Sequence, residues 1–145
     1  CEKGCDLLET IALPALIVQV NACQSGNAAL TSLNLQALTT QGVSNQSGNT
    51  SLVSISLPNL TTQTSYNQSD NTALTSFTAN LLTSQTDDNQ ATNTVLASIA
   101  TPLLTGLGTG NYLGCTYNIL TINVDASLFG AADILLAQAG GATII

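Results

Sequence analysis

Leucines recur at one spacing through the middle of the chain. Leu30, Leu52, Leu74 and Leu96 stand in register, followed three residues on by Leu33, Ile55, Phe77 and Ile99. Leu38, Leu60, Leu82 and Leu104 follow in the same phase, then Gln41, Gln63 and Gln85. The pairs Asn45-Gln46, Asn67-Gln68 and Asn89-Gln90 keep step with them. Four segments beginning at Asn27, Asn49, Asn71 and Asn93 align without gaps at a period of 22. A fixed period of this length is the signature of a repeat architecture.

The period predicts a helical shaft. At about 100° per residue, one repeat places Leu30, Leu33, Leu38, Gln41, Asn45 and Gly48 in a band about 140° wide, the width of an amphipathic face. Twenty-two is two elevens, and an eleven-residue repeat gives a straight or slightly right-handed bundle. The expected fold class is therefore α+β: a 22-residue-repeat α-helical shaft in a parallel bundle, most simply a trimer, with small β segments at both ends. Its oligomer seam would be Leu30, Leu33, Leu52, Ile55, Leu74, Phe77, Leu96 and Ile99, interleaved with Gln and Asn layers that fix register.

The competing expectation is a β-solenoid. Pro58 and Pro102 share one repeat position, where a helix interior would lose about 3 kcal/mol each. Thr, Ser and Asn are poor helix formers, and Gly42 and Gly48 interrupt the first repeat. Ser47-Gly48-Asn49 and Ser69-Asp70-Asn71 are turn signals. Against the solenoid, Leu52 and Ile55 would point to opposite faces of a regular strand.

Three regions follow: a connector at 1–26 with three cysteines, the repeat shaft at 27–107 and a β cap at 108–145. Ile11–Val20 is an apolar run broken by Pro14, half the length of a bilayer span. It suits a buried strand or a segment that adds to a neighbour's sheet. Tyr112–Asp125 alternates as a strand does, and Asp133–Gln138 and Ala142–Ile145 are further strand candidates. Neither end has enough residues for a core of its own.

Composition narrows the chemistry. Charged residues are 6% of the chain, with one Lys or Arg in total, eight acids, no His and a net charge of −7. Thr, Asn, Ser and Gln number 21, 14, 13 and 10, so the surface is dressed in neutral hydroxyls and amides. With Lys3 as the sole base, phosphate neutralisation has no footprint, which excludes nucleic acid as a partner. Without His there is no imidazole acid–base catalysis and no His-ligated metal. Asp87-Asp88 with Asp70 lacks Ca²⁺-loop spacing and suits a solvated turn. No enzyme activity, cofactor or metal is expected. Asn45, Asn49, Asn59 and Asn67 each fit the N-x-[ST] acceptor for glycosylation. A hydrophobic content of 44% argues against disorder.

The cysteines are Cys1, Cys5, Cys23 and Cys115. Their spacing lacks the paired pattern of a zinc site, so disulfides suit them better, within one chain or between subunits. A chain opening on Cys1 is also what a cleaved lipoprotein would look like. The repeat and its Asn- and Thr-rich composition resemble the shafts of phage fibres and bacterial surface stalks. The cysteine-bearing connector resembles that of disulfide-linked pili such as bacillus endospore appendages. That resemblance implies bridges from Cys1, Cys5 or Cys23 to Cys115 of the next subunit. The function expected is a structural subunit of an extracellular filament on a cell, spore or virion surface, assembling head to tail with itself. The alternatives are a viral fibre shaft, or an adhesin stalk or lipoprotein binding module.

Overall fold

The computed structural model describes residues 4–111, 121–123 and 143–144, and the side chains of 4–86 and 90–105. Short and long strands alternate along the chain. They are β1 (Thr10–Ala12), β2 (Val18–Cys23), β3 (Ser32–Asn34), β4 (Thr40–Asn45), β5 (Ser54–Ser56), β6 (Thr62–Asn67), β7 (Ser76–Thr78), β8 (Ser84–Asn89), β9 (Ser98–Ala100), β10 (Gly106–Asn111), β11 (Thr121–Asn123) and β12 (Thr143–Ile144). The described residues contain no helix, which overturns the helical shaft. The described residues form a β-solenoid with parallel sheets.

From β2 to β10 each coil takes 22 residues and lies on the next in constant register, with Gln19 opposite Gln41, Gln41 opposite Gln63 and Gln63 opposite Gln85, while the step from β9 to β11 takes 23. The long strands form one sheet in the order β10-β8-β6-β4-β2. The short strands form the opposite wall, as β12-β11-β9-β7-β5 and a separate pair, β1-β3.

Corner geometry explains why the sequence imitates a helix. At one corner the chain turns from Asn to Leu, with the Leu30, Leu52, Leu74 and Leu96 amides donating to the carbonyls of Asn27, Asn49, Asn71 and Asn93 at 2.9–3.1 Å. At the next corner Leu38, Leu60, Leu82 and Leu104 donate to Leu35, Leu57, Ala79 and Thr101. Each turn keeps its first and last residues inward and its central pair outward. Inward positions therefore run 27, 30, 33, 35, 38, 41, 44 and 46 in the second coil. Steps of three at the corners mimic a helical stripe, and the step of two from Leu33 to Leu35 marks the short strand. Pro58 and Pro102 occupy the second position of the second turn, where their fixed φ is favourable. Pro14, between Leu13 and Leu16, has the same place, so the solenoid already runs through residues 4–25.

The third corner needs a left-handed residue. Gly4, Gly26 and Gly48 fill it with φ of 64–69°, followed by Asp70 at 61° and Thr92 at 60°.

The expected oligomer seam is thus the chain's own core. Leu30, Leu52, Ile55, Leu74, Phe77, Leu96 and Ile99 are buried without any partner chain, and Leu33 is half-buried. Leu38, Leu60, Leu82 and Leu104 complete the apolar half of the interior. Tyr66 and Phe77 pack with ring centroids 5.4 Å apart.

The other half of the interior is amide. Gln41, Gln63 and Gln85 each donate Nε2–H to the Oε1 of the glutamine one coil earlier, at 2.8, 2.6 and 3.0 Å. Asn49, Asn71 and Asn93 accept at Oδ1 from the backbone N–H of Asn27, Asn49 and Asn71, at 3.0, 2.7 and 2.9 Å. Such rows leave few buried polar groups unpaired, which is the condition for a polar core to be stable.

Candidate functional site

Two places depart from the regular stack. The first is a seam in the short-strand wall. Leu13, Leu57 and Ala79 donate their amide N–H across the coils to Asn34, Thr78 and Ala100. β3 and β5 do not pair, and between them lies a surface cavity of about 260 Å³ lined by Ser32, Leu33, Asn34, Gln36, Ser56 and Pro58. Asn59 Nδ2 bridges the gap beside it, donating to the Gln36 carbonyl at 2.7 Å. No ionisable side chain lines the cavity, so it offers no acid–base or nucleophilic chemistry.

The second is the edge of the first coil. Among the described residues β2 has one sheet neighbour, β4, and β1 has one, β3. An open strand edge is a template for pairing with another chain unless charge, proline or a bulge blunts it. The six residues of β2, VQVNAC, carry neither charge nor proline. Gln19 ends the glutamine row: its Oε1 accepts from Gln41, and its Nε2 makes no hydrogen bond to a described residue.

Exposed apolar side chains gather at this edge. Val20 is 70% exposed, Ile17 60% and Val18 54%, with Leu7 and Leu13 also exposed on the same coil. The later coils are different at the equivalent positions. Ile17 gives way to Thr39, Thr61, Thr83 and Thr105, Val18 to Thr40, Thr62 and Ser84, and Val20 to Gly42, Thr64 and Thr86. Thr39, Thr61, Thr83 and Thr105 also bond along the stack, each donating Oγ1–H to the backbone carbonyl one coil back. Ile17 has no such hydroxyl.

The sequence-predicted candidates disperse. Asn49 is fully buried in the asparagine row and donates Nδ2–H to the carbonyls of Gln24 and Gln46, so it cannot accept a glycan in the folded chain. Asn45 and Asn67 are half-buried, each with Oδ1 accepting from the backbone N–H two residues on. Asn59 stands exposed on its turn. Cys5 is exposed at the place Asn27 holds in the next coil, and its amide donates to Asn27 Oδ1 at 2.9 Å. Cys23 closes β2 and is engaged in a disulfide, while no disulfide joins two described residues. Cys1 and Cys115 lie outside the described residues, as do most of the expected C-terminal cap and the side chains of Asp87 and Asp88. Asp70 sits in the left-handed corner, its Oδ2 accepting from Ser69 Oγ at 3.0 Å and its Oδ1 from Thr92 Oγ1. No cluster of potential metal ligands occurs among the described residues, and no helix there is long and apolar enough to cross a membrane.

The first coil escaped the sequence reading because the repeat appeared to begin at Asn27. Pro14 and Gln19, in phase with Pro58 and Gln41, are the signals that would have shown the earlier start. No protein-family model, curated protein or solved structure matches the chain.

Proposed function

We propose that this chain is a structural shaft segment of an extracellular fibre or stalk. The observation that carries the reading is the 22-residue register held from β2 to β10 in one wall and from β5 to β9 in the other, which turns sequence length directly into rod length. Each coil adds about 4.8 Å along the axis. The walls are hydroxyl- and amide-rich, and the chain holds one basic side chain, so the rod neither recruits nucleic acid nor depends on ion pairs. Contacts between segments would use strand edges and apolar ends, and covalent joining through cysteines would reinforce them. A stalk or viral shaft suits a chain that closes its own core better than a bundle that needs partners to do so.

Immunogold electron microscopy with antibodies against the exposed corner 57–61 tests this on intact source cells or particles. Gold along surface fibres or stalks is the expected result. Gold confined to the cell interior overturns the proposal.

A further inference from the structure

We infer that the seam between β3 and β5 is a binding site for one neutral pyranose ring of a glycan. The inference stands on coils two and three alone and does not depend on the shaft reading.

The seam is a local loss of backbone pairing. One junction below it, the Leu13 N–H donates to the Asn34 carbonyl at 2.9 Å, and one junction above it, the Leu57 N–H donates to the Thr78 carbonyl at 2.9 Å. No such bond joins Leu35 to Ser56 between them. The Thr31 N–H likewise donates to the Glu9 carbonyl at 3.0 Å and the Thr75 N–H to the Val53 carbonyl at 2.8 Å, yet no bond joins Val53 to Thr31. The facing backbone groups of coils two and three are left for an outside partner, because a main-chain N–H or carbonyl withdrawn from water needs one.

The core is also reached through this gap. Leu33 shares an inward column with Ile11, Ile55, Phe77 and Ile99, which are 0–6% exposed. Of these five, Leu33 alone is only half-buried. It lines the cavity together with Pro58, while Ser32, Asn34, Gln36 and Ser56 supply hydroxyls and amides around them. An apolar floor with a few polar groups beside it is the anatomy of a small-molecule site.

The lining selects the class of ligand. It carries no charge, and the chain has a net charge of −7, so an anion finds no counter-charge there. A cation finds no carboxylate in the lining. A wholly apolar ligand would strip water from the amides and hydroxyls without replacing their hydrogen bonds. A pyranose ring offers a C–H face to Leu33 and Pro58. Its hydroxyls both donate and accept, which matches the side-chain amides, the serine hydroxyls and the unpaired backbone. At about 260 Å³ the cavity is smaller than the roughly 300–1,000 Å³ of sites for larger ligands, so it takes one ring rather than a chain.

Amide chemical-shift titration of the full chain tests the site, with the methyl glycosides of glucose, galactose, mannose and N-acetylglucosamine as probes. At least one should bind saturably with a Kd of about 1 mM, shifting residues 31–36 and 53–59. Ser56→Phe, at an exposed position, puts a ring into the cavity and should weaken binding by about tenfold or more. Thr62→Phe, exposed on the opposite wall, should leave it unchanged. Far-ultraviolet circular dichroism confirms that each variant keeps its sheet. The absence of saturable shifts with all four glycosides overturns the site. So do shifts that survive Ser56→Phe, or equal shifts at the same residues with glycerol or inorganic phosphate, which would deny the ring or the neutral class. None of these outcomes bears on where antibody labels the source, so this inference and the shaft reading fail separately.

Discussion

Two glutamines in the core should respond in opposite ways to the same substitution. Gln63 donates to Gln41 and accepts from Gln85, so Gln63→Leu strands two buried amides and should cost about 2–3 kcal/mol. Gln68 is equally buried, but neither its Nε2 nor its Oε1 has a partner. The cause is Tyr66, whose hydroxyl donates to Gln46 Oε1, the acceptor that the row would have given Gln68. Gln68→Leu replaces two unpaired polar atoms with methyls and should stabilise the chain by about 1–3 kcal/mol. Urea unfolding midpoints of the two variants check both signs. The amide rows were legible as periodic Gln and Asn, but their break was not. Periodicity shows that Gln68 belongs to a column without showing that a tyrosine two residues earlier takes its acceptor.

At the scale of the strand and its corner, close approach decides more than propensity. A Cβ on Gly42 would stand 2.1 Å from the Val20 carbonyl oxygen, so coil one can lie on coil two only while Gly42 has no side chain. Gly42→Ala should therefore lift β2 from β4 and cost about 1–3 kcal/mol, with amide protection lost first in residues 18–23 under hydrogen exchange. The sequence marked Gly42 as unsuited to a helix, which was correct, yet gave the wrong element for its neighbours. Leu52 and Ile55 both point inward because Leu52 closes the corner that opens at Asn49 and the two residues after it, Val53 and Ser54, both face outward before Ile55 enters β5, whereas a regular strand would have sent them apart. A three-residue step therefore has two physical origins, and hydrophobic spacing alone does not separate them. The proline positions did carry that information: a residue disfavoured inside helices fits the second place of a tight turn.

Across the whole molecule, stability comes from neighbouring coils, so a complete repeat is a removable unit. Deleting 49–70 joins Gly48 to Asn71 in phase and brings coil two against coil four. The shortened chain should fold, keep its parallel sheets, and lose about 5 Å of length. Small-angle scattering measures the length, and circular dichroism the sheet. Deleting half of that segment instead should abolish cooperative unfolding, because it sets corners against strands. The period itself was fully readable from leucine, glutamine and asparagine. Self-sufficiency of the core was not, because an apolar stripe does not say whether a second chain or the next coil covers it.

The missing pairing between β3 and β5 gives this rod a preferred way to fail under load. Tension applied along the axis is shared by the two walls at the junctions of coils one and two, three and four, and four and five. Between coils two and three the long-strand wall bears it with little help, apart from the corner bonds and the Asn59 side chain. Force then acts off-centre and peels the β4–β6 bonds one after another, whereas balanced walls would have to break theirs together. A shaft under drag would bend and open there first.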